Sequence, residues 1–304
     1  MDADWATVAL RYALYADLTL LFGVPLSTMW LLRVDEHLAT HWARVTAFAA
    51  AAGMVLSAIG LLVTATTMTG AESYLAIDGA TVRMIVAETG IGVAWQVRML
   101  ALLVCLLATL APRHWRSTRV VLPLAAAVAL ATLAWGGHAV MNEGLRRAIH
   151  LPGDIVHLLA AGAWVGALAV FVWMSLPNQA VTSGSVAALS RAASGFAHIG
   201  AGIVVALAVT GAGNYILIAG PTLSGLLSTR YGGLLLAKLA LFSAMLGLAA
   251  INRYRLAPRL ARAVRTRDDG TAVVALRRSL RCESACAMIL LLLVAWLGTL
   301  SPSH

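Results

Sequence analysis

The chain has 304 residues, of which 61% are hydrophobic and only 12% are charged, whereas soluble domains average about 45–50% apolar and about 25% charged residues. A water-soluble globule cannot bury that much apolar surface, so the composition excludes a soluble enzyme or carrier. The net charge of +9 would suit a nucleic-acid-binding protein. The arginines, however, gather in a few segments between apolar runs, which favours membrane topology and argues against a nucleic-acid partner.

Apolar stretches of about 20 residues recur along the chain, and each can cross a hydrocarbon layer of about 30 Å as a helix. They predict an all-α, polytopic bundle of about eight transmembrane helices in one domain, with the lipid bilayer as its solvent. The acidic start, Met1–Trp5, predicts that the first span is retained and is not a cleaved signal peptide. The spans are expected near 8–32, 46–69, 92–111, 119–137, 152–176, 196–219, 232–251 and 280–300.

The connections between spans alternate in arginine content. One set includes nine arginines between Arg253 and Arg281, and the other set is sparse or balanced in charge. Because arginine-rich connections stay in the cytoplasm, both chain termini are expected outside, an N-out/C-out topology. Two connections are long: 70–91 outside, with a possible interfacial helix, and 252–279 inside, a basic loop or helix pair that anchors the topology.

Polar residues are concentrated around the start of the fifth span. Pro152 is expected in its first helical turn, where a missing N–H costs nothing, and Asp154 then lies near the positive end of the helix dipole. His157 follows Asp154 by three residues, so both side chains are expected on one helix face.

Further candidate ligands lie just before these two residues. His138 ends the fourth span, and Met141 and His150 lie in the connection that follows. Imidazole binds Cu(II) and zinc and thioether sulfur prefers Cu(I), so the set His138, Met141, His150, Asp154 and His157 favours copper over magnesium or calcium. Two alternatives remain: the histidines form a structural network with Asp154, or histidines on neighbouring spans ligate haem.

A charged or hydrogen-bonding side chain inside a span costs about 2.5–3.5 kcal/mol and calls for a partner or a function. Asp17 and Asn214 lie too far from the span ends to reach the interface, and we expect them to line a central pathway. Met68 and Met84 flank the long outer connection and are further pathway candidates that can approach His138. The alternative for Asp17 and Asn214 is hydrogen bonding between helices.

Two more charged residues fall within the seventh and eighth spans. Lys238 is a pathway candidate whose alternative is to extend to the outer interface. Glu283 is the other pathway candidate, and its alternative is an ion pair with Arg278 or Arg281 at the cytoplasmic boundary.

The three cysteines lie within or beside spans, which excludes a disulfide framework. Cys282 and Cys286 share a helix face, and His198 can join them in an inner exit site for Cu(I). The alternative is simple packing, because helices bury cysteine readily. The chain lacks phosphate-binding loops and hydrolase motifs, so it is not expected to be an enzyme or to bind nucleotides.

Three stretches carry a resemblance to a known family: HLLAAGAWVGAL at 157–168, YGGLLLAK at 231–238 running on to Asn252, and 276–302. They resemble the copper resistance protein D (CopD) family of bacterial inner-membrane proteins. The resemblance implies copper-ion transport from periplasm to cytoplasm together with a periplasmic CopC-like carrier. That carrier is expected to be a separate protein, because we find no β-rich exterior domain beside the spans.

Two other functions remain open at this point. One is a haem-binding membrane electron carrier or cupric reductase. The other is a receptor that docks a periplasmic copper carrier on the 70–91 connection without transporting copper.

Overall fold

A computed structural model describes residues 4–31, 36–71, 73, 77–111, 116–136, 144–179, 183–219, 229–266 and 270–300. These residues form ten α-helices and no strand: α1 Trp5–Leu31, α2 Glu36–Thr69, α3 Gly79–Glu88, α4 Gly90–Leu110, α5 Arg116–Ala131, α6 Gly144–Met174, α7 Ser183–Ala219, α8 Arg230–Ile251, α9 Ala257–Thr266 and α10 Gly270–Leu297. A 3₁₀ segment, Thr132–Gly136, extends α5, and a π-helical segment, Asn252–Leu256, joins α8 to α9.

Eight helical segments within these described ranges are long and apolar enough to cross a membrane. The predicted all-α membrane bundle is therefore confirmed. Successive spans run in opposite directions, so the start of α1 and the end of α10 lie at one end of the bundle, which we call the termini side. The opposite end holds α9 and the described arginines of 253–266 and 277–281, and we call it the arginine-rich side.

The span that carries the candidate ligands begins earlier than the sequence suggested. α6 starts at Gly144, and Pro152 lies inside it, not in its first turn. A proline removes one backbone hydrogen bond, and transmembrane helices tolerate that loss because neighbouring helices and side chains satisfy the freed carbonyl. His150 is therefore a helical residue one turn before Asp154.

Helices α1 and α6 form the centre of the bundle, and their contact depends on glycine. A Cβ added to Gly23 of α1 would lie 2.0 Å from the Gly162 carbonyl oxygen and 2.8 Å from the Gly166 Cα. Only glycine lets two helix backbones approach this closely. The tight contact fixes α6, and with it Asp154 and His157, against α1.

The two long connections contain helices. α3 lies within the 70–91 connection, and Asp78 caps its start by accepting a hydrogen bond from the Thr81 N–H. On the arginine-rich side α9 packs its buried Leu260 against the bundle while its arginines remain accessible. Whether α3 lies along the membrane interface, and which side faces the cytoplasm, stay predictions.

Candidate functional site

A polar cavity of about 180 Å³ lies between α1, α6, α7, α8 and α10, and we call it the termini-side cavity. Its polar lining consists of Arg11, Tyr15, Asp154, His157, Asn214, Tyr215, Tyr231 and Lys238. Four helices, α1, α6, α7 and α8, thus place hydrogen-bonding side chains around one small space within an apolar bundle.

Asp154 has several partners around its carboxylate. The Asn214 amide donates a hydrogen bond to Asp154 Oδ1. His150, one turn earlier on α6 and fully buried, places its Nε2 3.7 Å from Asp154 Oδ2. Lys238 is close enough for a Coulombic attraction to the same carboxylate. The carboxylate therefore has an amide donor, an imidazole and an ammonium group around it.

The hydrogen bonds of His157 determine which of its nitrogens is available to a metal ion. Its Nδ1 lies 2.9 Å from Thr210 Oγ1. The Thr210 hydroxyl donates its single proton to the Ala206 carbonyl at 2.6 Å, so its oxygen must accept the proton on His157 Nδ1. The imidazole is then in the Nδ1–H form, with the lone pair on Nε2. Metal-binding histidines use this arrangement, in which one nitrogen is held by a hydrogen bond while the other binds the metal.

The predicted ligand set is only partly within the described residues. His138 and Met141 lie outside them. Among the residues that the structure describes, no group of three or more His, Cys, Asp or Glu side chains is arranged to hold a metal ion. His150, Asp154 and His157 therefore do not form a three-ligand site by themselves, and the five-residue set stays a prediction.

The predicted pathway residues separate into two groups. Asn214 and Lys238 line the termini-side cavity beside Asp154, where Lys238 is partly buried. Asp17 packs elsewhere, against Gly53 of α2, and its Oδ2 has no hydrogen-bond partner among the described residues. Met68 and Met84 are 53% and 50% exposed, and neither is among the residues that line this cavity.

Glu283 lies on the arginine-rich half of the bundle. The alternative of an ion pair with Arg278 or Arg281 is wrong, because both carboxylate oxygens have other partners. Its Oε1 accepts a hydrogen bond from Trp164 Nε1 at 2.8 Å, and its Oε2 accepts one from Asn252 Nδ2 at 2.8 Å. The side chain is 2% exposed, whereas Arg278 and Arg281 are exposed on other faces of α10. Glu283 borders a mostly apolar cavity of about 410 Å³, which we call the arginine-side cavity.

The residues of the predicted exit site are not gathered in one place. Cys282 is exposed in a groove that α10 forms with α8, Cys286 is half-buried, and His198 is exposed on α7. All three belong to the described residues, where no metal-binding group of three is found. The reason is that α10 turns Glu283, not the cysteines, toward the cavity it shares with α7.

Two residues that contact or line the termini-side cavity site were not among the candidates from the sequence. Thr210 precedes Asn214 by four residues on α7, and this spacing places both on the face that meets α6. Arg11 lies near the start of the first span, where an arginine is easily interpreted as interfacial. It lines the cavity instead.

Comparison with known proteins gives the family. A copper resistance protein D-like N-terminal domain profile matches residues 1–148, and a copper resistance protein D profile matches residues 190–297. The chain is 42% identical to copper resistance protein D of Pseudomonas syringae pv. tomato, over 98% of this chain and 97% of the relative. The chain belongs to the copper resistance protein D family.

A second relative agrees with this assignment. The chain is 30% identical to inner membrane protein YebZ of Escherichia coli (strain K12), over 97% of this chain and 98% of the relative. No solved structure matches the chain. Together with the eight apolar helices, membership of the family identifies a multi-pass inner-membrane protein with a role in copper resistance or homeostasis.

The residues of the termini-side cavity are divided between the matched segments and the interval that separates them. His150, Asp154 and His157 fall between the two matched segments, whereas Asn214 and Lys238 fall within the second one. The termini-side cavity is thus built where the two halves of the family architecture join, on the helix that links them.

Proposed function

We propose that the protein transports copper ions across the inner membrane, from periplasm to cytoplasm, and that the termini-side cavity is the entry site. The observation that carries this proposal is the side-by-side placement of Asp154 and of His157, whose Nε2 lone pair is left available. A borderline or soft cation binds imidazole nitrogen well, and a carboxylate offsets its charge.

The direction rests on charge topology. Arginines concentrate on the side opposite to the cavity, and the positive-inside rule assigns that side to the cytoplasm. The termini-side cavity then faces the periplasm. A separate CopC-like carrier in the periplasm would deliver copper to this side, where His138 and Met141 precede α6 in the chain.

Lys238 has a defined role in this proposal. In the absence of copper, the attraction between Lys238 and Asp154 neutralises the carboxylate within the low-dielectric bundle. An arriving copper ion takes over that role, and the Lys238 ammonium moves away from Asp154. The Asp154 carboxylate therefore has a positively charged partner both with and without copper.

Copper uptake into proteoliposomes that contain only this protein tests the proposal. His157→Ala and His157→Asn are compared with wild type, because asparagine can keep a hydrogen bond to Thr210 while removing the Nε2 lone pair. Both variants should reduce the initial uptake rate by about tenfold or more, since each removes a metal ligand. The double replacement His138→Ala with His157→Ala should abolish uptake.

The matched control is His41→Ala. His41 is an exposed histidine of α2 that stacks on Trp173 at 6.1 Å between ring centroids, on the arginine-rich side. It should transport like wild type. Wild-type uptake by His157→Asn would remove His157 from the mechanism, and no uptake by wild type alone would favour the receptor function.

A further inference from the structure

A second cavity, of about 160 Å³, lies between α1, α2, α4 and the 3₁₀ segment that follows α5, and we call it the Arg98 cavity. Two guanidinium groups line it, those of Arg11 and Arg98. No acidic side chain is among its lining residues in the described part of the chain. Two cations within a membrane bundle are costly without a compensating negative charge.

The hydrogen bonds of Arg98 hold it in place but do not compensate its charge. Its Nε donates to Thr132 Oγ1 at 2.8 Å, and its Nη2 lies 3.4 Å from the Thr132 carbonyl. The Thr132 hydroxyl donates onward to the Ala129 carbonyl at 2.6 Å, so it serves Arg98 only as an acceptor. A guanidinium has five N–H groups, so donors of Arg98 remain beyond those that Thr132 accepts.

Two buried polar atoms of this cavity lack a protein partner. Arg11 Nε and Ser57 Oγ have no hydrogen-bond partner among the described residues, and Ser57 is only 1% exposed. Both atoms can donate a proton, and both residues line the Arg98 cavity. Buried unsatisfied donors on two residues that line one cavity point to a missing acceptor.

Neither Asp4 nor Asp17 supplies that acceptor. Asp4 accepts hydrogen bonds from the Thr7 hydroxyl and the Ala6 N–H, and it lies in solvent at the start of α1. Asp17 packs against Gly53 and is not among the lining residues. Water would satisfy the donors but would leave the charge of the two guanidiniums uncompensated.

We propose that the Arg98 cavity binds one small monovalent anion such as chloride. The guanidiniums of Arg11 and Arg98 supply charge-assisted hydrogen bonds, and the Ser57 hydroxyl supplies a neutral one. Arg11 and Tyr15 line the termini-side cavity as well, so a bound anion would lower the positive potential beside Asp154. The binding proposal itself does not depend on copper transport.

Equilibrium binding of radioactive chloride to the full-length protein in nanodiscs, without copper and with gluconate as the balancing anion, tests this site. Wild type should bind one chloride per chain in a saturable manner. Arg98→Gln and Arg11→Gln should each weaken binding by about tenfold or more, because each removes a charged donor. Ser57→Ala removes a neutral donor and should weaken binding by a smaller factor.

Arg83→Gln is the matched control, because Arg83 is exposed on α3 and does not line the cavity. It should bind chloride as tightly as wild type. A second readout needs no arginine variant: Trp95 and Trp135 line the cavity, so iodide should quench part of the wild-type fluorescence saturably, and chloride should reverse it. The double replacement Trp95→Phe with Trp135→Phe should lack that component.

Two results would overturn the proposal. One is wild-type protein that binds no chloride saturably and shows no iodide quenching that chloride reverses. The other is folded Arg98→Gln that binds chloride as wild type does.

Discussion

The termini-side cavity and the arginine-side cavity each hold one carboxylate, but the two carboxylates have different surroundings. Glu283 has one neutral donor on each oxygen, from Trp164 and Asn252, and it is 2% exposed. Asp154 has one amide donor, with His150 one turn away on the same helix and Lys238 lining the same cavity. A carboxylate satisfied by fixed neutral donors holds helices together, whereas one balanced by movable or titratable cations can exchange its partner.

The largest expected effect follows from removing the Glu283 carboxylate. Glu283→Leu leaves the Trp164 and Asn252 donors buried without an acceptor, which should lower the free energy of unfolding by about 2–5 kcal/mol. Unfolding in mixed detergent micelles measures this change. Copper uptake per folded molecule should stay at the wild-type level.

Glu283→Gln is the matched control, because Asn252 Oδ1 is buried without a partner among the described residues. If the Asn252 amide flips, its oxygen accepts from the new glutamine amide while the glutamine oxygen still accepts from Trp164. Stability should then stay within about 1 kcal/mol of wild type. Loss of uptake in a stable Glu283→Gln protein would contradict the structural role of Glu283.

The next effect concerns Asp17, a carboxylate within the first span that lines neither of these two cavities. A Cβ on Gly53 would lie 2.7 Å from Asp17 Oδ2 and 3.2 Å from Leu102 Cδ2. Gly53→Ala should therefore lower the free energy of unfolding by about 1–3 kcal/mol through overpacking. Gly60→Ala on the same helix is the control, because a Cβ there meets nothing within 4 Å. Equal stability of the two variants would show that Asp17 moves aside freely.

Much of the bundle follows from sequence because the spans are local features. Each apolar run of about 20 residues predicts its own helix, and all eight spans are present. The start of α6 was placed too late because Pro152 favours a first turn in soluble helices, whereas a membrane helix tolerates it internally. The spacing of Asp154 and His157 predicted one shared helix face, and both residues line the termini-side cavity.

The partners of these residues could not be predicted in the same way, because they come from distant helices. Trp164 and Glu283 are separated by 119 residues in the chain, and Asp154 and Asn214 by 60. The nearby Arg281 suggested an ion pair with Glu283, but residues two apart on a helix point to nearly opposite sides. The packing of α6 and of the π-helical segment against α10 determines which donors reach the carboxylate.

Asp154→Asn tests the other carboxylate of the comparison. The asparagine oxygen can still accept the hydrogen bond from Asn214, but the Lys238 ammonium loses its counter-charge, so uptake is compared per folded molecule. The negative charge is lost, and copper uptake into proteoliposomes should fall by about tenfold, which corresponds to about 1.4 kcal/mol. Asp4→Asn, at an exposed carboxylate on the same side, should transport normally. Unimpaired uptake by Asp154→Asn would place the cargo elsewhere.

The smallest effect concerns Asp78, a carboxylate outside the spans that caps α3. The hydrogen bond from Thr81 lowers the pKa of Asp78 from its ordinary value of 3.8. Because the folded pKa is below the unfolded one, its contribution to α3 is complete above pH 3.8 and is lost as the pH falls below it. In wild type, amide exchange within α3, corrected for the intrinsic rate, should accelerate as the pH falls below 3.8. In Asp78→Ala, exchange within α3 should already be faster at neutral pH and should show no such acid step. The same step in Asp78→Ala would assign it to another group. Water screens the exposed Asp78 carboxylate, unlike the carboxylates within the bundle. Replacing Asp78 should therefore leave the free energy of unfolding of the whole bundle unchanged.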